Sequence, residues 1–499
     1  MAPHRPAPKS PLRAGWALLG AVLAAALALR VWLAVRTSGL TMDSPLYVRM
    51  AEDLGRTAQP LGPAHHGYPA IVALASLAIP GRELPGRIVS LLAGLLLVAV
   101  TYRLARRLLP VPGATVAAAL VALHPLLAVF SGAIMTESTF QALAYSALLE
   151  LTAARSSVAA ALLGLAYCVR PEALVLAIAA LPALAGTRRR VIWLGVFALA
   201  VAPEVALLSM ERGALTLTPK TALIEASAAA ADDAEWRIAA AESLAAAPPR
   251  PWLERAADAL PAAAGRYPHR LVDHLARIHQ AWPTPLMALS DAGAIARPGL
   301  LLVPLALILV LPTLGVTANL RFPQTLIPAL AVYAAVGAWW LVGRVASAGR
   351  KRAVALGLAT LVVGGLAWCW WGPAGESVRR FEDAPIPSLR RAGRWLAVHG
   401  RPGAAVMDRK PYVPFFAGMR HVLMPDDDYD TIVEYARRSG VDYLVVEEYV
   451  MWGMRRQFVP LMTEPDFRAR EQRLRMIFGG DEGPMTGVAI FEVAPARVQ

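Results

Sequence analysis

The sequence is poor in charge and in cysteine. Charged side chains make up 17% of the 499 residues, hydrophobic ones 57%, and there are two cysteines. Cys168 and Cys369 lie in or beside apolar runs, so no disulfide framework is indicated and the cysteines do not identify a compartment. So little charge beside so much apolar sequence excludes an ordinary soluble enzyme.

The basic residues are unevenly placed. The formal net charge is +13, but the arginines form short clusters between apolar runs, which is the pattern of cytoplasmic loops in membrane proteins. Several of the apolar runs approach the roughly 20 residues that cross a bilayer. The sequence therefore predicts an α-helical, multi-pass protein of the cell membrane and no nucleic-acid partner.

The first apolar run, Gly15 to Val35, follows a basic tail and is longer than the apolar part of a signal peptide. It predicts a retained helix with a cytoplasmic N-terminus. Ten clear spans would leave Arg344 and residues 350–352 outside, so we expect a short or broken eleventh crossing between about Leu271 and Arg297. The clear spans after the first are 88–104, 114–130, 140–152, 158–169, 173–185, 192–208, 300–316, 325–342 and 354–371.

The transmembrane domain is predicted at residues 1–371, with long outer loops at 36–86 and 209–283. The second loop contains several prolines, which indicate short surface helices.

From residue 372 to 499 the composition changes to that of a soluble domain. Ala404 to Met407 and Tyr443 to Val446 predict buried strands. Between them, Tyr429 to Ser439 predicts a helix that ends at Gly440. Strand, helix and strand indicate a small α/β domain, and eleven spans place it outside the cell.

An acid follows the first apolar run, in the segment Thr41-Met42-Asp43-Ser44-Pro45-Leu46-Tyr47. Ser44 and Pro45 are typical of a helix start, and apolar residues then recur at helical spacing up to Leu54. A short amphipathic helix lying on the membrane is predicted, with Asp43 ahead of its positive end, which favours the carboxylate. We hypothesise that Asp43 is a catalytic base; the alternative is a solvated loop acid or a helix cap.

Other charged residues are predicted at outer ends of the spans. They are Glu137, Arg170, Glu172 and Arg321. A guanidinium group binds phosphate with two parallel hydrogen bonds. One acid with a phosphate clamp suits group transfer from a phosphate-activated donor, because phosphate leaves without the second carboxyl group that glycoside hydrolysis needs. Soluble nucleotide sugars are cytoplasmic, so an outward-facing enzyme would take its donor on a lipid.

Five short motifs occur in one order along the chain. They are Asp43-Ser44-Pro45-Leu46-Tyr47, His66-Gly67-Tyr68-Pro69, Met135-Thr136-Glu137-Ser138, Arg170-Pro171-Glu172 and Arg321-Phe322-Pro323. Together they resemble the GT-C superfamily of membrane glycosyltransferases, which includes protein O-mannosyltransferases and the aminoarabinose transferase for lipid A, over residues 12–345. Val406 to Pro411 and Val441 to Val445 resemble the C-terminal domain of bacterial members.

The resemblance implies an inverting transfer from a polyprenyl-phosphate sugar to an extracytoplasmic lipid, glycan or protein acceptor. It implies an acid of the first outer loop as the base, and that acid matches Asp43. Many relatives have a second acid near the first, for which Glu52 and Asp53 are only distant counterparts. No cofactor is expected, and no metal ligand is assigned, although a divalent metal stays open because metal dependence varies across the superfamily.

The remaining site residues fall into two predicted groups. Arg170, Arg321 and Lys220 are expected to bind the donor phosphate, although the two arginines could instead reach lipid headgroups. The residues expected to orient the acceptor or the first loop are Glu137, Tyr47, His66 and Glu172. Two of these have simpler alternatives, because Glu137 could cap the following helix and Glu172 could pair with an arginine.

Two further clusters invite a metal interpretation. Adjacent histidines such as His65 and His66 do not easily share one metal, so interfacial histidines are the preferred interpretation. Asp426-Asp427-Asp428 is better explained as a charged turn before the helix at Tyr429.

Two other functions compete with glycosyl transfer. A transporter or flippase for the same lipids would favour internal repeats and charges at the bilayer midplane. The sequence shows no clear repeat, and its charges lie at the ends of spans. A non-catalytic protein that binds envelope polymers would be insensitive to changes at Asp43, Arg170 or Arg321.

Overall fold

The computed structural model describes residues 11–57, 64–213, 215–219, 252–299, 302–314, 320–345, 347–480 and 487–495. The predicted phosphate ligand Lys220 and residues 220–251 of the predicted outer loop lie outside these ranges. The chain divides into two compact units. Among the described residues, the first unit lies within Met1–Gly39, Met50–Pro219 and Ala264–Glu382, and the second lies within Leu40–Arg49, Lys220–Ala263 and Asp383–Gln499.

Helices dominate the chain up to Glu382. They are α1 (Pro11–Arg36), α2 (Ser44–Thr57), α3 (Gly67–Ser76), α4 (Leu84–Ala105), α5 (Val111–Leu123), α6 (Pro125–Gly132), α7 (Thr136–Thr152), α8 (Ser156–Val169), α9 (Glu172–Ala179), α10 (Thr187–Arg212), α11 (Trp252–Ala281), α12 (Thr284–Ala296), α13 (Leu302–Val310), α14 (Ile327–Gly343), α15 (Ala348–Trp371) and α16 (Pro373–Glu382).

Five stretches of the described residues are long and apolar enough to cross a membrane. They are Gly15–Arg36, Leu84–Ala105, Thr187–Glu211, Pro323–Gly343 and Gly349–Trp371. Shorter apolar stretches are Gly67–Ser76, Ser156–Val169 and Glu172–Ala183. The prediction of a helical, multi-pass membrane protein is confirmed, whereas eleven crossings stay a prediction.

The predicted span at 114–130 is not one straight helix. It consists of α5 and α6, which meet at an angle of 56°. His124 between them has φ −69° and ψ 126°, an extended conformation. Pro125 causes the break, because proline lacks an N–H and disfavours a helical conformation in the preceding residue.

The expected break between Leu271 and Arg297 is present. Helix α11 ends at Ala281, and α12 begins at Thr284 after Trp282 and Pro283. The prediction of short surface helices before this break was wrong over Trp252–Ala281, which form one helix of 30 residues. Apolar residues keep their helical spacing through the prolines of this segment, and that periodicity outweighed the proline signal.

Glycines allow α12 and α14 to approach closely. A Cβ atom on Gly293 would overlap the carbonyl oxygen of Tyr333, and one on Gly337 would overlap that of Leu289. Small residues at such crossings let helix backbones meet inside a membrane, where association depends on close packing. Backbone contact in this pair therefore requires glycine at both positions.

Substituting Gly337 with Ala is expected to force α12 and α14 apart and to lower the free energy of unfolding by about 1–3 kcal/mol. Gly343 lies on the same helix, and a Cβ atom there has nothing within 4 Å. Gly343→Ala is therefore the matched control. Thermal unfolding of both variants in detergent tests the prediction, and equal melting temperatures for the two would contradict it.

A five-stranded sheet organises the second unit. Its strands are β1 (Ala405–Asp408), β2 (Arg420–Leu423), β3 (Tyr443–Glu447), β4 (Leu474–Gly480) and β5 (Val488–Val493), in the order β2-β1-β3-β5-β4. Strands β2, β1 and β3 are parallel, and β5 is antiparallel to its neighbours β3 and β4. The helices are α17 (Ile386–His399), α18 (Tyr412–Ala417), α19 (Tyr429–Arg438), α20 (Glu448–Met454), α21 (Val459–Thr463) and α22 (Pro465–Arg470).

The two predicted strands and the helix between them are confirmed. Gly440 has φ +61°, the left-handed conformation expected after the end of α19. Apolar side chains from β1, β3, β5 and α19 form one core, including Met407, Leu444, Phe491 and Ile432. The predicted domain boundary at residue 372 stays a prediction.

Candidate active site

Four charged residues predicted at outer helix ends form one network in the first unit. Arg170 donates from Nη1 to Glu137 Oε1 at 2.6 Å and from Nη2 to Glu172 Oε1 at 2.6 Å. Arg321 donates from Nε to the same Glu137 oxygen. Arg170, Glu137 and Glu172 are 4%, 2% and 7% exposed. The structure therefore brings together residues that are up to 184 positions apart in the chain.

Local sequence explains how this network is held. Glu137 lies in the first turn of α7, and Arg170 is an extended residue between α8 and α9, with φ −152° and ψ 136°. Pro171 favours that conformation in the residue before it. The rings of Phe140 and Phe322 lie 5.9 and 5.8 Å from the Arg170 guanidinium carbon and limit its movement.

The two arginines of the network differ in exposure. Burial disfavours the charged form of Arg170, but Glu172 and Glu137 outweigh it, so the pKa of Arg170 lies above its ordinary value. Its side chain is 5% exposed, whereas that of Arg321 is 20% exposed. Arg170 therefore fixes the two carboxylates, and Arg321 is the more accessible cation.

Asp43 belongs to the second unit and directly precedes α2. Its carbonyl oxygen accepts a hydrogen bond from the Tyr47 N–H at 3.1 Å. The Ser44 hydroxyl accepts from the Thr41 N–H at 2.8 Å and closes the turn that presents Asp43. The predicted helix from Ser44 is confirmed, and Tyr47, which is 6% exposed, lies on its buried side.

His65 and His66 are buried inside the protein, and their position at the membrane interface stays a prediction. They are 2% and 4% exposed, and each Nδ1 lies near Glu204 Oε1, at 3.1 and 3.2 Å. His66 Nε2 lies 3.3 Å from Glu211 Oε1. Glu204 was missed, although an acid inside an apolar run is itself a signal of function. Within the described ranges, no group of three or more His, Cys, Asp or Glu side chains could hold a metal ion.

The charge on His66 is expected to make stability depend on pH. Burial favours the neutral ring, but Glu204 and Glu211 outweigh it and raise the pKa of His66 above 6.5. A raised pKa means that the stabilisation is complete below pH 6.5, the unfolded value, and is lost as the pH rises through the folded value. We therefore expect the melting temperature of the wild type to fall as the pH rises above 6.5. The melting temperature of His66→Gln should change less.

His269 offers a control for this pH series, since its side chain is 63% exposed and lies 3.7 Å from Asp273. His269→Gln should follow the wild type. If the melting temperatures of wild type and His66→Gln change with pH in the same way between about pH 6 and 9, the charged His66 ring does not contribute to stability.

Arg30 is a second buried charge that sequence reasoning missed. It lies in α1, is fully buried, and donates to Ser131 Oγ at 2.8 Å and to the Ala122 carbonyl at 2.9 Å. An arginine inside an apolar run is the signal that could have found it. Its hydrogen bonds join α1 to α5 and α6.

Comparisons with known proteins agree with this architecture. A family model described as dolichyl-phosphate-mannose-protein mannosyltransferase matches residues 67–209, which include Glu137, Arg170, Glu172 and Glu204. A comparison with curated protein sequences finds no match.

Solved structures cover nearly the whole chain. The oligosaccharyltransferase of Archaeoglobus fulgidus, tethered to an acceptor peptide, superposes with a TM-score of 0.58 at 14% identity, over 96% of this chain and 74% of its own. ArnT from Cupriavidus metallidurans, bound to undecaprenyl phosphate, superposes with a TM-score of 0.56 at 14% identity, over 96% of this chain and 98% of its own. The chain has the GT-C fold. The family match includes three of the four network residues, and Arg321 lies beyond it.

Proposed function

We propose that this protein is a membrane glycosyltransferase that moves a sugar from a polyprenyl-phosphate donor to an extracytoplasmic acceptor, with inversion at the sugar carbon. The buried network of Glu137, Arg170, Glu172 and Arg321 in a GT-C fold carries the proposal. Charged groups at the ends of apolar helices are costly and therefore usually have a function. ArnT, of the same fold, was solved with undecaprenyl phosphate, which supports a lipid-phosphate ligand.

Asp43 is the proposed general base. It takes the proton of an acceptor hydroxyl or amine while the acceptor atom forms a bond to the sugar carbon. The bond between that carbon and the phosphate oxygen breaks, and its electron pair leaves with the polyprenyl phosphate. No general acid is needed, because the leaving phosphate is stable as an anion.

Arg170 and Arg321 are the proposed phosphate ligands, with Lys220 as a third. The pairing of Arg170 with two carboxylates favours Arg321 for direct contact and gives Arg170 the task of holding Glu137 and Glu172. Glu137, Glu172, His66 and Tyr47 are proposed to orient the acceptor or the first loop. The site and the C-terminal domain are proposed to face the extracytoplasmic side, with the N-terminus in the cytoplasm.

Substituting Arg321 with Gln is expected to raise KM for the lipid donor about 10-fold to 100-fold, because a charged hydrogen bond contributes about 1.5–3 kcal/mol. Arg321→Lys should recover only part of this loss, since an ammonium group lacks the paired donors of guanidinium. Arg155→Gln is the control, because Arg155 is 67% exposed and pairs with Glu150. A donor KM equal to that of wild type in Arg321→Gln would remove Arg321 from the phosphate site.

The proposed function is tested by incubating purified protein with polyprenyl-phosphate sugars and measuring the release of polyprenyl phosphate. Mass spectrometry of envelope lipids and glycans from a deletion strain identifies the accumulated donor and the missing sugar. A transporter would move the intact lipid without releasing phosphate. Intact donor after incubation with acceptor-containing envelope extract, together with transport into vesicles, would favour that alternative.

A further inference from the structure

One side of α7 carries polar residues over its first turns. They are Glu137, Gln141 and Tyr145, a spacing of four residues that places side chains on one side of a helix. The outer two contact the segment that leads into α14. Arg321 donates to Glu137 Oε1, and the Tyr145 hydroxyl donates to the Thr325 carbonyl at 2.8 Å. Gln141 therefore lies on α7 between two contacts with the same segment.

A second glutamine lies on that segment. Gln324 belongs to the tight helical turn Pro323–Leu326, and it stands between Arg321 and Thr325 in the chain. Phe322 has helical dihedral angles, with φ −83° and ψ −46°. Residues three apart in so tight a turn place their side chains on the same side, so Gln324 follows Arg321 toward α7. The same two contacts therefore bracket both glutamines.

Both amide groups are fully buried. Gln141 and Gln324 are 0% exposed. Among the described residues, neither the amide nitrogen nor the amide oxygen of either side chain has a hydrogen-bond partner. Buried polar side chains are almost always paired, and a membrane supplies no bulk water to replace a missing partner. Two such amides, one turn from the proposed phosphate ligand, therefore indicate a ligand that enters the site.

The chemistry of an amide limits what this ligand can be. Each amide offers two N–H donors and one carbonyl acceptor. A phosphodiester has acceptors alone, so the two amide oxygens would repel it. A hydroxyl group both donates and accepts, and neighbouring hydroxyl groups of a sugar match both ends of an amide. The amides are uncharged, which leaves the phosphate to Arg321.

We propose that Gln141 and Gln324 bind hydroxyl groups of the transferred sugar and select donors that carry those hydroxyl groups. The inference rests on the proposed function and extends it to the recognition of the sugar. Glu137 holds Arg321 one turn before Gln141, and the Arg321 side chain is 20% exposed. When Arg321 turns to the donor phosphate, it leaves Glu137 and gives the sugar access to the amides behind it.

Burial makes such a site selective. A site built to hydrogen-bond a hydroxyl group rejects an analogue that lacks it, because the polar groups of the protein then stay unpaired. A donor that lacks the recognised hydroxyl group should therefore bind more weakly. Removal of a hydroxyl group that neither amide contacts should have little effect.

Binding measurements on the full-length protein in detergent test the proposal. Displacement of labelled undecaprenyl phosphate gives the Kd of its mannose, glucose, galactose and arabinose esters. The reference is methyl undecaprenyl phosphate, which has the same charge as these esters and no sugar. The ratio of the reference Kd to the Kd of an ester measures what the sugar adds to affinity. In wild type, at least one ester should bind more tightly than the reference.

Gln141→Met and Gln324→Met remove the amides with little change in side-chain length, and methionine is unbranched like glutamine. Each should lower the ratio for the best ester about tenfold, the effect of one hydrogen bond. The Kd of methyl undecaprenyl phosphate should not change. The melting temperature should not fall, because the amides have no partner in the protein to lose. Gln280→Met is the matched control, since Gln280 accepts from Arg277 at 2.8 Å, and it should retain the wild-type ratio.

Deoxy analogues of the best ester, one for each hydroxyl group, give the same test without a variant. At least one should bind wild type about tenfold more weakly than the parent ester. That analogue should lose nothing further in the glutamine variant whose amide contacts the missing hydroxyl group.

Equal ratios in wild type and in both glutamine variants would overturn the proposal and leave ordered water as the partner of the amides. So would a panel in which no ester binds more tightly than the methyl reference, or deoxy analogues that all bind like the parent. If esters bind through the glutamines but no undecaprenyl phosphate is released, the proposed transfer fails while the sugar site stands. Release that is equally selective in the glutamine variants would leave the transfer and remove the sugar site.

Discussion

Replacing Asp43 with Asn is expected to lower sugar transfer by about 10²–10⁴-fold, the usual contribution of a general base. The amide is similar in size but cannot take a proton, so the acceptor would have to attack as a neutral nucleophile. The turn that presents residue 43 should persist, because the Ser44 hydroxyl and the backbone hold it. Release of polyprenyl phosphate under saturating donor measures the effect.

Two controls accompany this experiment. Asp427→Asn removes an exposed acid whose carboxylate accepts from the Asp428 N–H, and it should retain wild-type turnover. Binding of the donor to Asp43→Asn, measured by displacement of a labelled polyprenyl phosphate, should match wild type. Retained turnover in Asp43→Asn would remove the base assignment, and loss of binding would indicate a structural role instead.

Replacing Arg170 with Gln is expected to lower the free energy of unfolding by about 3–5 kcal/mol, because it leaves buried carboxylates without their partner. Glu172 would lose the Arg170 hydrogen bonds, and Glu137 would keep Arg321. We expect a large fall in melting temperature and in the yield of folded protein. By contrast, Arg155→Gln breaks an exposed pair with Glu150 and should change stability by less than about 1 kcal/mol.

A double variant separates desolvation from a general packing defect. Arg170→Leu with Glu172→Leu removes a cation and an anion together, so it should be more stable than Arg170→Leu alone. Equal stability of the single and double variants would show that Arg170 does not stabilise the buried carboxylate of Glu172.

Apolar runs made several helices and the strands β1 and β3 predictable from the sequence. The runs that became α1, α4, α10, α14 and α15 are mostly apolar, and β1 and β3 are short, largely apolar runs. Strands β2 and β4 could not be found this way. β2 is partly exposed and contains Arg420 and His421, and β4 carries Arg475, so their pairing follows from tertiary contacts.

The candidate site was also predictable only in part. The motifs identified Glu137, Arg170, Glu172 and Arg321 one by one, and a shared outer face made their proximity a reasonable expectation. The spacing of these residues in the sequence does not determine which carboxylate each arginine binds, because that depends on side-chain geometry. Glu204 was hidden by its apolar neighbours, and its pairing with His66 joins residues 138 positions apart.

The break at His124 also bears on how the chain is made. The carbonyl group of Leu123 accepts from Trp370 Nε1 at 2.9 Å, and the His124 ring lies 2.9 Å from the Ala281 carbonyl oxygen. A membrane supplies no water for such groups, so they need protein partners. During synthesis, α5 and α6 emerge about 250 residues before Trp370, which stands 247 positions after Leu123. Early helices would therefore complete their hydrogen bonding only after the last membrane helix is inserted, and chains truncated before Trp370 would be natural targets for membrane quality control.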